Sequence, residues 1–151
     1  MTVDFVYKKA KAFTAATVSW KGTWSDKRTR SEFEGLAAWL AKRKVRMGRW
    51  IFLESNDAKT FVVGIEVLGK VRGEGGVRLR SFPASTVASI TFDPDTIEPR
   101  VVYHGVTDWL RWQKKQKEIK SVGTYRELYP GNPWKDAKAW ASAEVQVTVK
   151  K

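Results

Sequence analysis

The chain has no cysteine among its 151 residues, which removes disulfides, thiol nucleophiles and thiolate metal ligands from consideration. It has one histidine, His104. A lone histidine without a serine or cysteine partner at recognisable spacing forms no catalytic triad, and without companions it forms no metal site. No apolar run approaches the roughly 20 residues of a membrane-spanning helix, and Met-Thr-Val-Asp-Phe-Val-Tyr-Lys-Lys at the start lacks the apolar stretch of a signal peptide. The expectation is a soluble cytoplasmic protein with no membrane partner, no metal and no cofactor. Acid is scarce relative to base: 16 Asp and Glu stand against 28 Lys and Arg, a formal net charge of +12. That excess suits a polyanionic partner and equally suits a charged solvated shell.

Apolar residues make up 42% of the chain and eight residues are tryptophan, enough for one packed interior. Residues 12–20 read as a strand. After a polar loop, in which Ser25-Asp26 can cap the next element, Phe33, Leu36, Ala37 and Leu40 fall at i, i+3, i+4 and i+7 of an amphipathic helix. Residues 49–54 and 61–67 read as a hairpin of two strands. Residues 69–76, with four glycines, mark a boundary; Gly73-Glu74-Gly75-Gly76 lacks the Lys-Ser/Thr of a phosphate loop and reads as a linker. The order then recurs. Phe82-Pro83-Ala84-Ser85-Thr86-Val87-Ala88 echoes residues 13–19. Pro99 fits a helix first turn, and residues 100–111 align with residues 30–41, matching Tyr103 with Phe33, Gly105 with Gly35, Trp109 with Trp39 and Leu110 with Leu40. Residues 125–129 and 144–149 complete the series. The expectation is one α+β domain over residues 1–151, built of two pseudo-twofold β-α-β-β repeats (about 5–70 and 77–151). They share one largely antiparallel sheet with packed helices and a ligand cleft at their junction.

The chain is organised around Thr124-Tyr125-Arg126-Glu127-Leu128-Tyr129, which ends at the turn formers Pro130-Gly131-Asn132-Pro133. Strand alternation places Tyr125, Glu127 and Tyr129 on one face and Arg126 and Leu128 on the other. A carboxylate between two aromatic rings either faces solvent or, if buried, needs a partner or a raised pKa.

Arg126-Glu127-Leu128-Tyr129, the Pro/Gly/Asn turn and Ala143-Glu144-Val145-Gln146-Val147 together resemble the ending of GyrI-like domains. That module also serves as the effector-binding domain of AraC-type and related drug-responsive transcription regulators. Phe82-Pro83-Ala84 and Val63-Gly64-Ile65-Glu66-Val67 are similar to the corresponding family segments. The resemblance implies two such units with a ligand cleft between them, in which the glutamate of the penultimate strand, matched by Glu127, meets cationic, lipophilic or planar ligands in an aromatic cage. Tyr103 and Trp140 fall near cage positions. The chain departs from the regulators in having no helix-turn-helix segment. Some stand-alone members look like toxin or gyrase binders, and others are similar to hydrolases that open cyclopropane-bearing natural products.

The expected site is therefore Glu127 as polar anchor, with Tyr103, Trp109, Tyr125 and Trp140 as walls and Trp39 beside them, holding a small aromatic or lipophilic molecule. As a hydrolase, the chain would use Glu127 as the general base. For Trp39 and Trp109, four residues after Gly35 and Gly105, the alternative is plain packing against the sheet. Trp20, Trp112 and Trp134 read as packing residues, and Glu66 and Glu144 as structural. The basic helix ends, Lys42-Arg43-Lys44-Val45-Arg46 and Lys114-Lys115-Gln116-Lys117, read either as a nucleic-acid or protein interaction surface or as solvated faces that complement the helix dipole.

Overall fold

The computed structural model describes residues 5–55 and 57–151. The elements run β1 (Val6–Ala10), β2 (Phe13–Lys21), α1 (Asp26–Lys42), β3 (Met47–Leu53), β4 (Thr60–Val67), β5 (Arg78–Phe82), β6 (Ser85–Phe92), α2 (Pro99–Lys115), β7 (Ser121–Tyr129), α3 (Ala137–Trp140) and β8 (Ala143–Lys150). The fold is α+β, as expected. All eight strands form one antiparallel sheet in the order β1-β6-β8-β7-β3-β4-β2-β5.

That order forces the sheet to curl. β1 and β2 stand six interstrand steps apart, roughly 29 Å in a flat sheet. Only residues 11 and 12 join them, and three residue steps reach about 11 Å at most. The same holds for β5 and β6, joined by residues 83 and 84. The two edges of the sheet must therefore approach each other. The side facing inward carries a small cluster of Ala15, Ile51, Phe82 and Leu128, with Phe13 stacked on Phe82 at 4.6 Å. The helices pack on the outer side, over a larger core that includes Phe33, Leu36, Leu40, Val102, Val106 and Leu110. Its most aromatic part is Phe33, stacked on Trp50 at 5.1 Å and edge-on to Phe52 at 5.1 Å.

Helix α1 begins at Ser25, whose hydroxyl accepts from the Arg28 N–H, satisfying one of the free first-turn donors. Helix α2 has no side-chain cap at Glu98 and begins instead with Pro99, which has no N–H to satisfy. Both helices end alike. The N–H of Lys44 reaches the Ala41 carbonyl and that of Val45 the Leu40 carbonyl; Lys117 and Glu118 reach Lys114 and Gln113 in the same way. Lys44 and Lys117 each take a positive φ, 56° and 64°, the left-handed closure more often given to glycine.

These matching ends correct the sequence alignment of the helices. Asp26–Lys42 and Pro99–Lys115 correspond end to end only if Phe33 is set against Val106, one turn from the match with Tyr103. Phe33 and Val106 are both fully buried, whereas Tyr103 is only partly so. The echo of residues 13–19 at 82–88 is corrected too: Phe82 ends β5, Pro83 and Ala84 turn the chain, and β6 starts at Ser85. The predicted hairpin is β3–β4. Strands β1 and β5 and helix α3 were not foreseen. Among the described residues no helix is long and apolar enough to cross a membrane.

Candidate functional site

The seam of the sheet is the β3–β7 pair, where Phe52 lies opposite Glu127 and Trp50 opposite Tyr129. Over this seam, on the helix side, opens a cavity of about 610 Å³. Phe52, Glu127 and Tyr129 lie in its floor, the N-terminal parts of α1 and α2 contribute Asp26, Thr29, Pro99 and Tyr103, and Trp24, Trp134 and Trp140 close its sides. A recess of about 260 Å³ adjoins it across Phe52 and Tyr103 and reaches Tyr125 and Glu54.

Glu127 is 8% exposed. Its two carboxylate oxygens accept from Tyr103 Oη at 3.1 Å and Tyr129 Oη at 2.6 Å. Among the described residues, no Lys, Arg or His forms an ion pair with it. Burial pushes its pKa above the ordinary glutamate value, and the two tyrosine hydrogen bonds oppose that rise without cancelling it. The Tyr103 and Tyr129 phenols are pushed far above their usual range, chiefly by burial and then by the Glu127 charge, so both remain donors. Ring packing fixes the donors: Tyr129 stacks on Trp140 at 6.0 Å and 6°, and Tyr103 on Tyr125 at 6.2 Å and 21°. Trp140 Nε1 donates to Asp95 at 2.9 Å, and the Tyr125 hydroxyl lies 2.9 Å from that of Thr107.

The cavity lining sorts charge against the rest of the molecule. Asp26, Asp57 and Glu127 face it, and no Lys, Arg or His does so among the described residues, although the whole chain carries +12. A cation inside therefore meets carboxylates and aromatic faces, both favourable to it.

Of the residues singled out from sequence, Glu127, Tyr103 and Trp140 line the cavity and Tyr125 the adjoining recess. Trp39 and Trp109 line neither, and their assignment as walls is corrected. The Arg43 guanidinium covers the Trp39 ring at 3.8 Å. Trp109 is packed under Phe5 and Tyr7 at 5.4 and 5.1 Å, contacts brought by the unforeseen β1 and the residue before it. Trp134, read as a packing residue, lines the cavity, and so do Trp24, Phe61 and the two aspartates, which sequence reasoning missed. Trp20 is buried, Trp112 exposed and His104 solvent-facing. Of the basic helix ends, Arg43 is committed to Glu74 at 2.9 Å and to the Trp39 carbonyl and ring.

Glu66 and Glu144 serve structure. Glu66 takes two hydrogen bonds from the Arg49 guanidinium and one from its N–H; Glu144 is met by Lys8 at 2.6 Å, Ser89 and Gln146. Burial works to raise both pKa values, and these partners outweigh it and hold both below the ordinary range. Among the described residues no group of three or more His, Asp or Glu is placed to hold a metal ion.

No protein-family model and no curated protein matches the chain. Solved structures do. The C-terminal domain of EcmrR superposes with a TM-score of 0.72 at 13% identity, over 100% of this chain and 99% of that domain. EcmrR in a DNA complex gives 0.74 at 15% identity over 98% of this chain, which spans 57% of that longer protein. A hydrolase from Listeria innocua gives 0.56 at 10% identity over 97% of this chain and 91% of the other, and SAV2435 bound to tetraphenylphosphonium gives 0.50 at 11% identity over 97% and 94%. At these identities the likeness is one of fold: the chain has the fold of the EcmrR C-terminal domain, and that fold agrees with the architecture implied by the resemblance that Arg126-Glu127-Leu128-Tyr129 carries.

Proposed function

We propose that the chain is a small-molecule-binding protein whose cleft takes a lipophilic, aromatic cation, anchored by Glu127 and walled by Tyr103, Tyr129, Trp134 and Trp140. One observation carries this reading: among the described residues, a buried carboxylate held by two hydroxyls and no counter-charge lies in a cavity whose other charged groups are also acidic. A cation about 4 Å away gains roughly 4 kcal/mol at an effective dielectric near 20, and each ring face adds about 0.5–2 kcal/mol. The neighbour bound to tetraphenylphosphonium supports the ligand class. The overall positive charge slows the approach of such a ligand, and the acidic lining offsets that locally. The reading includes a single domain of two like units, about 5–70 and 77–151, working inside the cell.

The test is a titration of tetraphenylphosphonium followed by tryptophan fluorescence, with triphenylphosphine oxide as the neutral counterpart. Saturable quenching by the cation, weakened about tenfold or more in Glu127→Gln, with the neutral compound unaffected, is expected. Equal affinity of wild type and variant for the cation would refute the assignment.

The raised pKa of Glu127 favours a second reading, in which it takes a proton from water attacking an electrophilic ligand. The two tyrosine hydrogen bonds work against it, because they stabilise the carboxylate that must become the acid. Turnover of a cyclopropane-bearing substrate that Glu127→Gln abolishes while leaving binding intact would select this reading.

A further inference from the structure

The face of β7 opposite the cleft holds a second charged group in an unusual position. Arg126 is 4% exposed and points into the curl of the sheet. Its guanidinium carbon lies 5.1 Å from the Phe13 ring centre and 5.9 Å from that of Phe82. Nε donates to Gln146 Oε1 at 2.8 Å, while Nη2 is buried with no partner among the described residues. Among the described residues no carboxylate pairs with it. Glu66 is taken by Arg49 and Glu144 by Lys8, and Arg126 reaches Glu144 only through the amide of Gln146. A buried guanidinium without an anion is costly, and burial together with Arg49 draws its pKa down, with Glu144 opposing.

Beside it, where the β5–β6 turn meets the start of β7 and the end of β8, lies a cavity of about 480 Å³. Its charged lining is Arg80, Arg126 and Lys150, with no carboxylate among the described residues. Hydroxyls surround these cations, and one of them, Ser85 Oγ, is also buried and unpartnered. Phe82 and Pro83 add an apolar wall. Two orphaned donors and three cations around one cavity are the complement of an oxyanion, since arginine meets a carboxylate or phosphate with directed hydrogen bonds.

We propose that this cavity binds a small oxyanion, a phosphate or carboxylate head group, with Arg126 as its buried anchor and Arg80 and Lys150 at its rim. The site is separate from the Glu127 cleft and stands or falls independently of cation binding there. The apolar wall admits a ligand with a small hydrophobic body behind the head.

The experiment is isothermal titration calorimetry of the full chain at constant ionic strength with inorganic phosphate, phenyl phosphate and benzoate, which separate the bare head group, the phosphate-headed and the carboxylate-headed ligand. Expected is saturable one-to-one binding of at least one probe. Arg126→Gln should weaken it about tenfold or more, the loss of a charge-assisted hydrogen bond. The exposed pair Arg80→Ala/Lys150→Ala should weaken it severalfold, whereas Lys114→Ala/Lys115→Ala, an equal charge change at the end of α2, should not. If Arg126→Gln does not fold, the rim pair decides. The proposal is overturned by absence of saturable binding for all three probes. It is equally overturned if the rim pair and the helix pair weaken binding alike, which would mark nonspecific attraction to a basic surface.

Discussion

Glu127 and Arg126 are sequence neighbours of opposite charge, and their surroundings differ in the same sense. Strand alternation sends Glu127 to the helix side and Arg126 into the curl; among the described residues the charged groups lining the first cavity are all acidic and those lining the second all basic. Among the described residues neither forms an ion pair with the other or with any counter-charge. Each is held instead by neutral partners: two tyrosine hydroxyls for the carboxylate, one glutamine carbonyl for the guanidinium. The pairs at Arg49–Glu66 and Lys8–Glu144 show what the same sheet does with charges it neutralises internally. A buried charge held by dipoles keeps its field available to a ligand; one held by an ion does not.

The harshest test of this contrast removes the neutral partner. Gln146→Leu leaves Arg126 Nε without an acceptor and should lower stability by about 2–3 kcal/mol in chemical denaturation. Adding Arg126→Met, which takes away the stranded charge, should restore most of that loss. A double variant no more stable than Gln146→Leu would show that Arg126 is not the source of the cost. On the other face, Glu127→Gln should cost no stability and should raise it. Burial raises the folded-state pKa, so folding disfavours the ionised carboxylate, and the neutral amide removes that cost. A clear loss of stability in this variant would contradict that account. Tyr129→Phe, which removes the 2.6 Å hydrogen bond, should weaken cation binding by about 1 kcal/mol and raise the Glu127 pKa further, and Tyr103→Phe, at 3.1 Å, by less. The reverse order in a titration of both variants would mean that packing, not the hydrogen bond, sets their roles. The gentlest probe is pH. Cation affinity should decline as pH falls through the Glu127 pKa, beginning above 4.5. The stability lent by Glu66 and Glu144 is present above 4.5 and is lost below it, as pH falls through their depressed values. Binding and folding should thus fail in different pH windows, with binding lost first.

Much of this was legible in the residues. Alternation along 125–129 assigned Glu127 and Arg126 to opposite faces, and the 3.6-residue spacing of Phe33, Leu36 and Leu40 gave α1. Val6–Ala10 and Arg78–Phe82 escaped because an edge strand has a single neighbour and need not be apolar; half or more of each is exposed. Missing β1 in turn hid what covers Trp109. The acidic lining was not legible either. Asp26, Asp57 and Glu127 are far apart in sequence, and nothing local marks them as sharing a cavity that the basic residues avoid. Trp134 lies within a turn, where spacing carries no facial information.

The link lengths that make the sheet curl also bear on how the chain can be divided. β1 pairs with β6 and β5 with β2, so each half lends its leading strand to the other. A cut within residues 69–76 would leave two pieces, each holding an edge that belongs to its counterpart and lacking one of its own. Such pieces are poor candidates for independent folding, and their exposed strand edges seek a complement. Supplied together, they should reassemble into a working whole, making the glycine-rich connection a natural place to split the protein into a two-part reporter whose reunion restores the cleft.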